Sequence, residues 1–367
     1  MYKKILRHLA SPFTDPNQKR SSHGDSLYAL DGLRGVAVLI VMASHTSAFG
    51  MLGQGSLGVL LFFMLSGFVL TLPYADVPNR MLSYRELWRF SINRVLRIMP
   101  IYLVAVLIIT LLLDKDMSWF LINASLYKGW NHLWSVAEEA RFYLLFPIVI
   151  GVLALLPNRL MRLLALGLMT WIAWTYRATH LIDLMDGRLV IFYFWMFLGG
   201  SMACFLYTAP EVKRLVTNRT ARVLFNTSGL IILLFIFMSS DQMIKQFWHP
   251  LFPDLPKELS LNGWGIPGIW FYLFFFLLFG LTVFRNSWVS RWMQSWFLRH
   301  LGLLSYSLYL FHMPVLLELR NHFGFEHEGL FVAVFAVTYI IALLSYTIIE
   351  KPFLMLKPKS RKRPLNL

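Results

Sequence analysis

Residues 28–49 read YALDGLRGVAVLIVMASHTSAF. Twenty-two residues with an apolar run in the middle are long enough to cross the hydrocarbon core of a bilayer as a helix. The same stretch carries Asp31, Arg34 and His45. Ionisable groups inside a span are costly and mark function by default. Arg34 and His45 are eleven residues apart, which at 100° per residue is about 20° past three full turns. They share one face of the helix, about 16 Å apart along its axis. Asp31 lies one turn before Arg34 on that face, where it can pair with it.

The rest of the chain follows this first span. Of the 367 residues 57% are hydrophobic, 14% are charged, and the mean hydropathy is +0.58. A soluble domain carries about 25% charge, so this is the composition of a polytopic membrane protein. Disorder, a coiled coil and a disulfide scaffold are excluded. The single cysteine, Cys204, allows no intramolecular bridge and no cysteine-based zinc site, and reads as a packing residue. Ten apolar stretches are legible, near 28–49, 56–73, 99–113, 140–156, 161–176, 189–207, 223–240, 266–284, 299–317 and 330–350. The segment Trp119–Trp130 between the third and fourth reads as re-entrant or interfacial. The expectation is an all-α bundle of about ten transmembrane helices.

The formal net charge of +15 would suggest a nucleic-acid partner in a soluble chain. Here it is explained by topology. When the loops are assigned to alternating sides, 25 of the 34 Lys and Arg fall on one side, 8 fall on the other, and Arg34 lies within the first span. Cytoplasmic loops carry this excess, so both termini are expected in the cytosol and no nucleic-acid partner is required. Residues 1–27 lack an apolar core and read as a polar cytosolic leader rather than a signal peptide. Residues 28–353 form the membrane domain, and 354–367 a basic cytosolic tail near anionic headgroups. Gly53-Gln-Gly55-Ser-Leu-Gly58 matches a dinucleotide fingerprint as a string but lies between two membrane helices with no preceding strand. There is no Walker loop, zinc-protease helix or nucleophile elbow.

Three further clusters carry possible chemistry. Glu138 and Glu139 open the fourth span after Trp134, pointing about 100° apart, so at most one faces a pocket squarely. Glu139 and His45 both fall in the outer half, where a carboxylate can orient an imidazole; the bland alternative is an acid cluster neutralised by Arg141. His312, followed by Met313-Pro314, lies in the outer half of the ninth span, where the proline is expected to kink the helix. Arg94 and Arg97, at i and i+3, can chelate a phosphate, or simply anchor the cytosolic face.

Taken in order, these strings resemble the acyltransferase-3 family of integral-membrane acyltransferases over about 28–353. The resemblance rests on Leu30-Asp31-Gly32-Leu33-Arg34 with His45 closing an Arg-x10-His motif, Phe62-Phe63-Met64-Leu65-Ser66-Gly67-Phe68, and Arg94-Val-Leu-Arg97-Ile98-Met-Pro100. It continues with Leu133-Trp134-Ser135 through Phe142-Tyr143, Ser305-Tyr306-Ser307-Leu308-Tyr309-Leu310-Phe311-His312, and Ile349-Glu350-Lys351-Pro352-Phe353. Two departures stand out. Asn93 replaces the arginine that usually precedes the RxxR step. In the Trp-Ser-Leu-Ser-Val-Glu-Glu pattern the first Glu aligns with Glu139 and the second becomes Ala140, which favours Glu139 over Glu138.

The resemblance implies an acyl group, acetyl by family frequency and succinyl as the other option, taken from cytosolic acyl-CoA and placed on an extracytoplasmic carbohydrate hydroxyl such as that of a surface polysaccharide or lipopolysaccharide. It implies a bacterial cytoplasmic membrane. Arg34, Arg94 and Arg97 would hold the donor phosphates. His45, with Arg34 and Glu139, would carry the catalysis as general base or transient acyl carrier. Asp31, Trp134, Tyr306, His312 and Glu350 are further pocket candidates, and no metal is expected. Some family members carry an extra extracytoplasmic hydrolase-like domain. None is legible in this sequence, so the expectation is a separate extracytoplasmic partner protein or transfer to the acceptor itself. The rival reading is a transporter or flippase with a polar permeation path. A purely structural membrane protein would account for the basic loops but not for Arg34 and His45.

Overall fold

The computed structural model describes residues 28–51, 54–127, 129–179, 193–254, 267–323 and 327–358. The expected leader 1–27, the start of the sixth stretch and the end of the tail lie outside them. The described residues hold helices and no strands. The main ones are α1 (Tyr28–His45), α2 (Gly55–Thr71), α3 (Tyr84–Leu112), α4 (Met117–Ala124), α5 (Trp134–Leu155) and α6 (Arg159–Thr179). They are followed by α7 (Phe194–Tyr207), α8 (Arg219–Met238), α9 (Pro267–Val283), α10 (Trp296–Phe323) and α11 (His327–Ser345).

In its described residues each of the ten apolar stretches overlaps one of these helices. Five described helices are long and apolar enough to cross a membrane: Tyr28–His45, Tyr84–Leu112, Arg219–Met238, Trp296–His322 and Glu328–Met355. The segment 119–130 overlaps the eight-residue α4, started by Asp116, whose carboxylate accepts from the Trp119 N–H at 2.9 Å. Helix α3 begins fifteen residues before the third apolar stretch, so Arg85 to Arg97 stand on a helix rather than in a loop.

Helix α10 is the hub, packed on α1, α11 and α3, while α2 joins α1 to α7. The α1–α10 crossing is a backbone contact. A Cβ at Gly35 would stand 2.3 Å from the Leu298 carbonyl oxygen, and one at Gly302 1.8 Å from that of Asp31. Only glycine permits helices to approach so closely. The outer surface is apolar at mid-helix, with Leu111, Leu144, Leu164, Ile231, Val332 and Ile340 exposed, as suits a lipid-facing boundary. Cys204 is fully buried among apolar groups.

Helix ends meet in two sets. At one end Arg159 pairs with Asp76 at 2.9 Å and Arg285 reaches the Tyr207 hydroxyl at 2.6 Å. At the other the Phe49 N–H donates to Glu328 at 3.1 Å and the Gln54 amide to the Ser239 carbonyl at 2.5 Å. Alternating helices bring together the ends that the loop charges put on one side.

Candidate active site

Helix α1 stops at His45, four residues short of the apolar stretch's end. The side chains there satisfy the carbonyls left open by the last turn. His45 Nδ1 lies 2.8 Å from the Val41 oxygen, and the Thr46 hydroxyl donates to the Met42 and Ala43 oxygens at 3.1 Å each. Ser47 and Phe49 then take left-handed φ of 58° and 55° and turn the chain toward α2. His45 is thereby fixed at a helix end, half-buried, rather than in mid-span.

A cavity of about 110 Å³ opens between α1, α2, α3, α5 and α10. Its polar lining includes Arg34, Arg94, Arg97, Glu139, Tyr143 and Tyr306; Phe62, Phe63 and Val136 supply apolar wall. Arg34 is paired with Asp31 at 3.5 Å. Arg94 lies over the Tyr143 ring, 5.6 Å from its centroid, and its Nε is buried without a hydrogen-bond partner among the described residues. Arg97 stands 3.7 Å from Glu350 and over the Tyr306 ring at 5.9 Å. By contrast Arg89, in the same basic run, is paired with Glu86. The run therefore divides: Arg94 and Arg97 line the cavity, while Arg89 is taken up by an ion pair outside it.

The paired carboxylates also divide. Glu138 is buried and bonded to Arg141, whereas Glu139 lines the cavity. Glu139 accepts from the Ser66 hydroxyl at 2.5 Å and the Tyr143 hydroxyl at 2.6 Å. It is not hydrogen-bonded to His45, so the expected acid–imidazole pair does not form. The reason is level along the bundle. Glu139 lies four residues, about 6 Å of helix rise, further into the bundle than Ser135. It is Ser135 that sits beside the histidines, through Tyr309.

The partner of His45 is His312, whose Nε2 lies 3.3 Å from His45 Nδ1. A third imidazole, His132, stands with its centroid 5.0 Å from that of His312. Tyr309 links this cluster to the cavity, which both it and Ser135 line: its hydroxyl donates to the His132 carbonyl at 2.8 Å and accepts from Ser135 at 2.7 Å. His132, in the turn before α5, is buried, and burial pushes its imidazole down to about 3.

Of the other pocket candidates, Tyr306 lines the cavity and donates to the Ile98 carbonyl at 3.1 Å. Glu350 stands behind Arg97 and accepts from Ser307. Trp134 packs on Phe63 and Tyr193 at 6.1 and 5.0 Å, beside the cavity rather than in it. Asp31, His45 and His312 lie outside the cavity wall. Sequence reading assigned no role to His132, Tyr309, Ser66 or Tyr143. His132 was detectable as an ionisable residue two positions before Trp134, and Tyr309 as the residue one turn before His312. Among the described residues no group of histidines, cysteines and carboxylates is arranged to hold a metal.

The cavity and the imidazole cluster coincide with the motifs that carried the family resemblance. The chain belongs to the acyltransferase-3 family: the family's model, described as an acyltransferase domain, matches residues 27–349. Among curated relatives, the O-acetyltransferase OatA of Staphylococcus aureus strain NCTC 8325 / PS 47 is 25% identical over 367 residues, covering 89% of this chain and 57% of its own length. The OatA of Staphylococcus aureus strain COL matches to the same extent, 25% over 367 residues. The chain thus spans little more than half the length of the curated relatives it matches. No solved structure matches it.

Proposed function

We propose that the protein is a membrane O-acyltransferase of about ten spans. It moves an acyl group, acetyl in the first instance, from cytosolic acyl-CoA to a hydroxyl of an extracytoplasmic carbohydrate. The observation that carries this reading is the juxtaposition of a cavity holding three guanidinium groups with an imidazole pair, the two joined by Ser135 and Tyr309. Charge-assisted hydrogen bonds from arginine suit phosphate oxygens, and Arg34, Arg94 and Arg97 would hold the phosphates of the donor. The pantetheine arm would run along the apolar wall toward the helix end where His45 stands.

In the chemical step the acceptor hydroxyl oxygen attacks the thioester carbonyl carbon, and the carbon–sulfur bond breaks. His45 takes the hydroxyl proton as general base and returns it to the departing CoA thiolate, leaving an ester and free CoA thiol. The cytosolic side of a bacterial cytoplasmic membrane supplies the donor, and the loop charges support cytosolic termini. The names of the curated relatives support acetyl as the group and oxygen as the acceptor atom.

The test is acyl transfer in sealed vesicles carrying the purified protein, with radiolabelled acetyl-CoA on the cytosolic face and a glycan acceptor on the other. Label in an alkali-labile ester on the glycan supports the reading. Passage of label across the membrane with no ester formed would instead support the transporter.

A further inference from the structure

The His45 ring is held by two contacts that together decide which nitrogen carries its proton. Its Nδ1 lies 2.8 Å from the Val41 carbonyl oxygen. A carbonyl only accepts, so Nδ1 bears hydrogen and Nε2 is the bare, basic nitrogen. The same logic applies to His312. Its Nδ1 lies 2.6 Å from the Tyr309 carbonyl and bears hydrogen, so in the neutral ring Nε2 is a lone pair. That lone pair lies 3.3 Å from His45 Nδ1, so the single Nδ1–H is shared in a three-centre bond, with the Val41 carbonyl the nearer acceptor and His312 Nε2 the second. Two N–H groups cannot face each other there, so the contact requires His312 to be neutral.

Its surroundings keep it so. His312 is 1% exposed, and His132 beside it is 2% exposed. His132 Nε2 reaches the Leu310 carbonyl at 3.0 Å, and its Nδ1 has no hydrogen-bond partner among the described residues. The Leu310 carbonyl is available because Pro314, four residues on in α10, has no N–H to give it. The groups around the pair are Tyr309, whose ring lies 5.6 Å from both His132 and His312, and Gly55 against His45 Cε1. The carboxylates of the packed elements are engaged elsewhere: Glu139 with Ser66 and Tyr143, Glu138 with Arg141, Glu328 with the Phe49 N–H.

We infer that His312 is a positioning residue for His45: as a neutral second acceptor beside the Val41 carbonyl it helps hold the His45 Nδ1–H, leaves Nε2 free to act, and stabilises the imidazolium formed when Nε2 takes a proton. This rests on the proposed role of His45. It assigns to a second histidine the place that a carboxylate fills in a Ser-His-Asp arrangement.

The test compares His312→Leu, which removes the acceptor, with His312→Gln, which keeps one, at matched membrane levels. The Val41 carbonyl still holds the Nδ1–H in His312→Leu, so kcat should fall about two- to tenfold, the size of an ordinary net hydrogen bond, with the KM for acyl-CoA unchanged. The acid limb of the kcat–pH profile should move to lower pH, because the imidazolium has lost its second acceptor. His312→Gln should recover most of kcat and return the limb toward wild type. An unmoved limb in both variants, or a KM change with kcat intact, would overturn the inference. His45→Ala is run alongside. Normal turnover there would overturn the role of His45 itself, whereas an inactive His45→Ala with a wild-type His312→Leu would overturn only the assignment of His312.

Discussion

Tyr143 donates its hydroxyl to Glu139 Oε1 at 2.6 Å, one turn apart on α5, and the same oxygen takes the Ser66 hydroxyl of α2. A carboxylate held by two hydroxyls in a cavity with three arginines sets both the shape and the charge of that cavity. Glu139→Gln keeps the volume but removes the charge. Hydrogen bonds to a charged group contribute about 1.5–3 kcal/mol, so acyl transfer should fall about ten- to a hundredfold with membrane levels unchanged. Wild-type turnover in an acyl-transfer assay would leave Glu139 as a packing residue only.

Arg94 and Arg97 face the same cavity but have different neighbours. Arg94→Ala removes a cation with no ion pair among the described residues, and should weaken acyl-CoA binding about ten- to a hundredfold while the protein stays folded. Arg97→Ala should do the same and also destabilise, because it strands the carboxyl group of Glu350, which is 3% exposed behind it. Stranding a buried charge costs about 3–5 kcal/mol. Adding Glu350→Gln to Arg97→Ala should restore thermal stability but not affinity. Equilibrium binding and thermal melting in detergent separate the two effects.

Gly302 meets the Asp31 carbonyl across the α1–α10 crossing, where an added Cβ would stand only 1.8 Å from the oxygen. Gly302→Val should therefore separate the helices that carry Arg34, His45, Tyr306 and His312. The expected result is loss of folded protein from the membrane, checked by size-exclusion profile in detergent. Gly167 and Gly329 have nothing within 4 Å of an added Cβ and should tolerate alanine.

Pro314 frees the Leu310 carbonyl that His132 uses. Pro314→Ala would restore a helix N–H to compete for that oxygen. A proline in a helix interior is less favourable than alanine by about 3 kcal/mol, so the variant should melt higher while turnover falls. The His132 contribution also has a pH signature. Its imidazole is depressed to about 3 in the fold against an ordinary value of about 6.5. Below pH 6.5 the unfolded chain binds a proton that the folded one does not, so this group's contribution is full above about 6.5 and is lost as pH falls toward 3. His132→Gln should flatten the fall in melting temperature over that window.

Reporter fusions test the orientation. Fusions at Asp76 and Arg219 should score cytoplasmic, and fusions at Asp116 and Lys257 external. The reverse pattern would invert the assignment of donor and acceptor sides.

The apolar helices and several of the polar residues that line the cavity were legible in the sequence because each depends on local chemistry. A long apolar run, an arginine placed within it and a loop-by-loop excess of lysine and arginine need no knowledge of neighbours. The common face of Arg34 and His45 also follows from one helix's periodicity. Which residues meet was decided by the tertiary structure. Glu139 and His45 lie at compatible depths when each helix is read alone, yet the heights at which α1, α5 and α10 cross put Glu139 against Ser66 and Tyr143 and His312 against His45. His132 is unremarkable as a loop histidine; burial against α10 and the carbonyl that Pro314 releases make it part of the cluster. Gly35 and Gly302 set how deeply α1 and α10 interlock, and a contact between helices more than 260 residues apart in sequence has no local signature from which its register can be read.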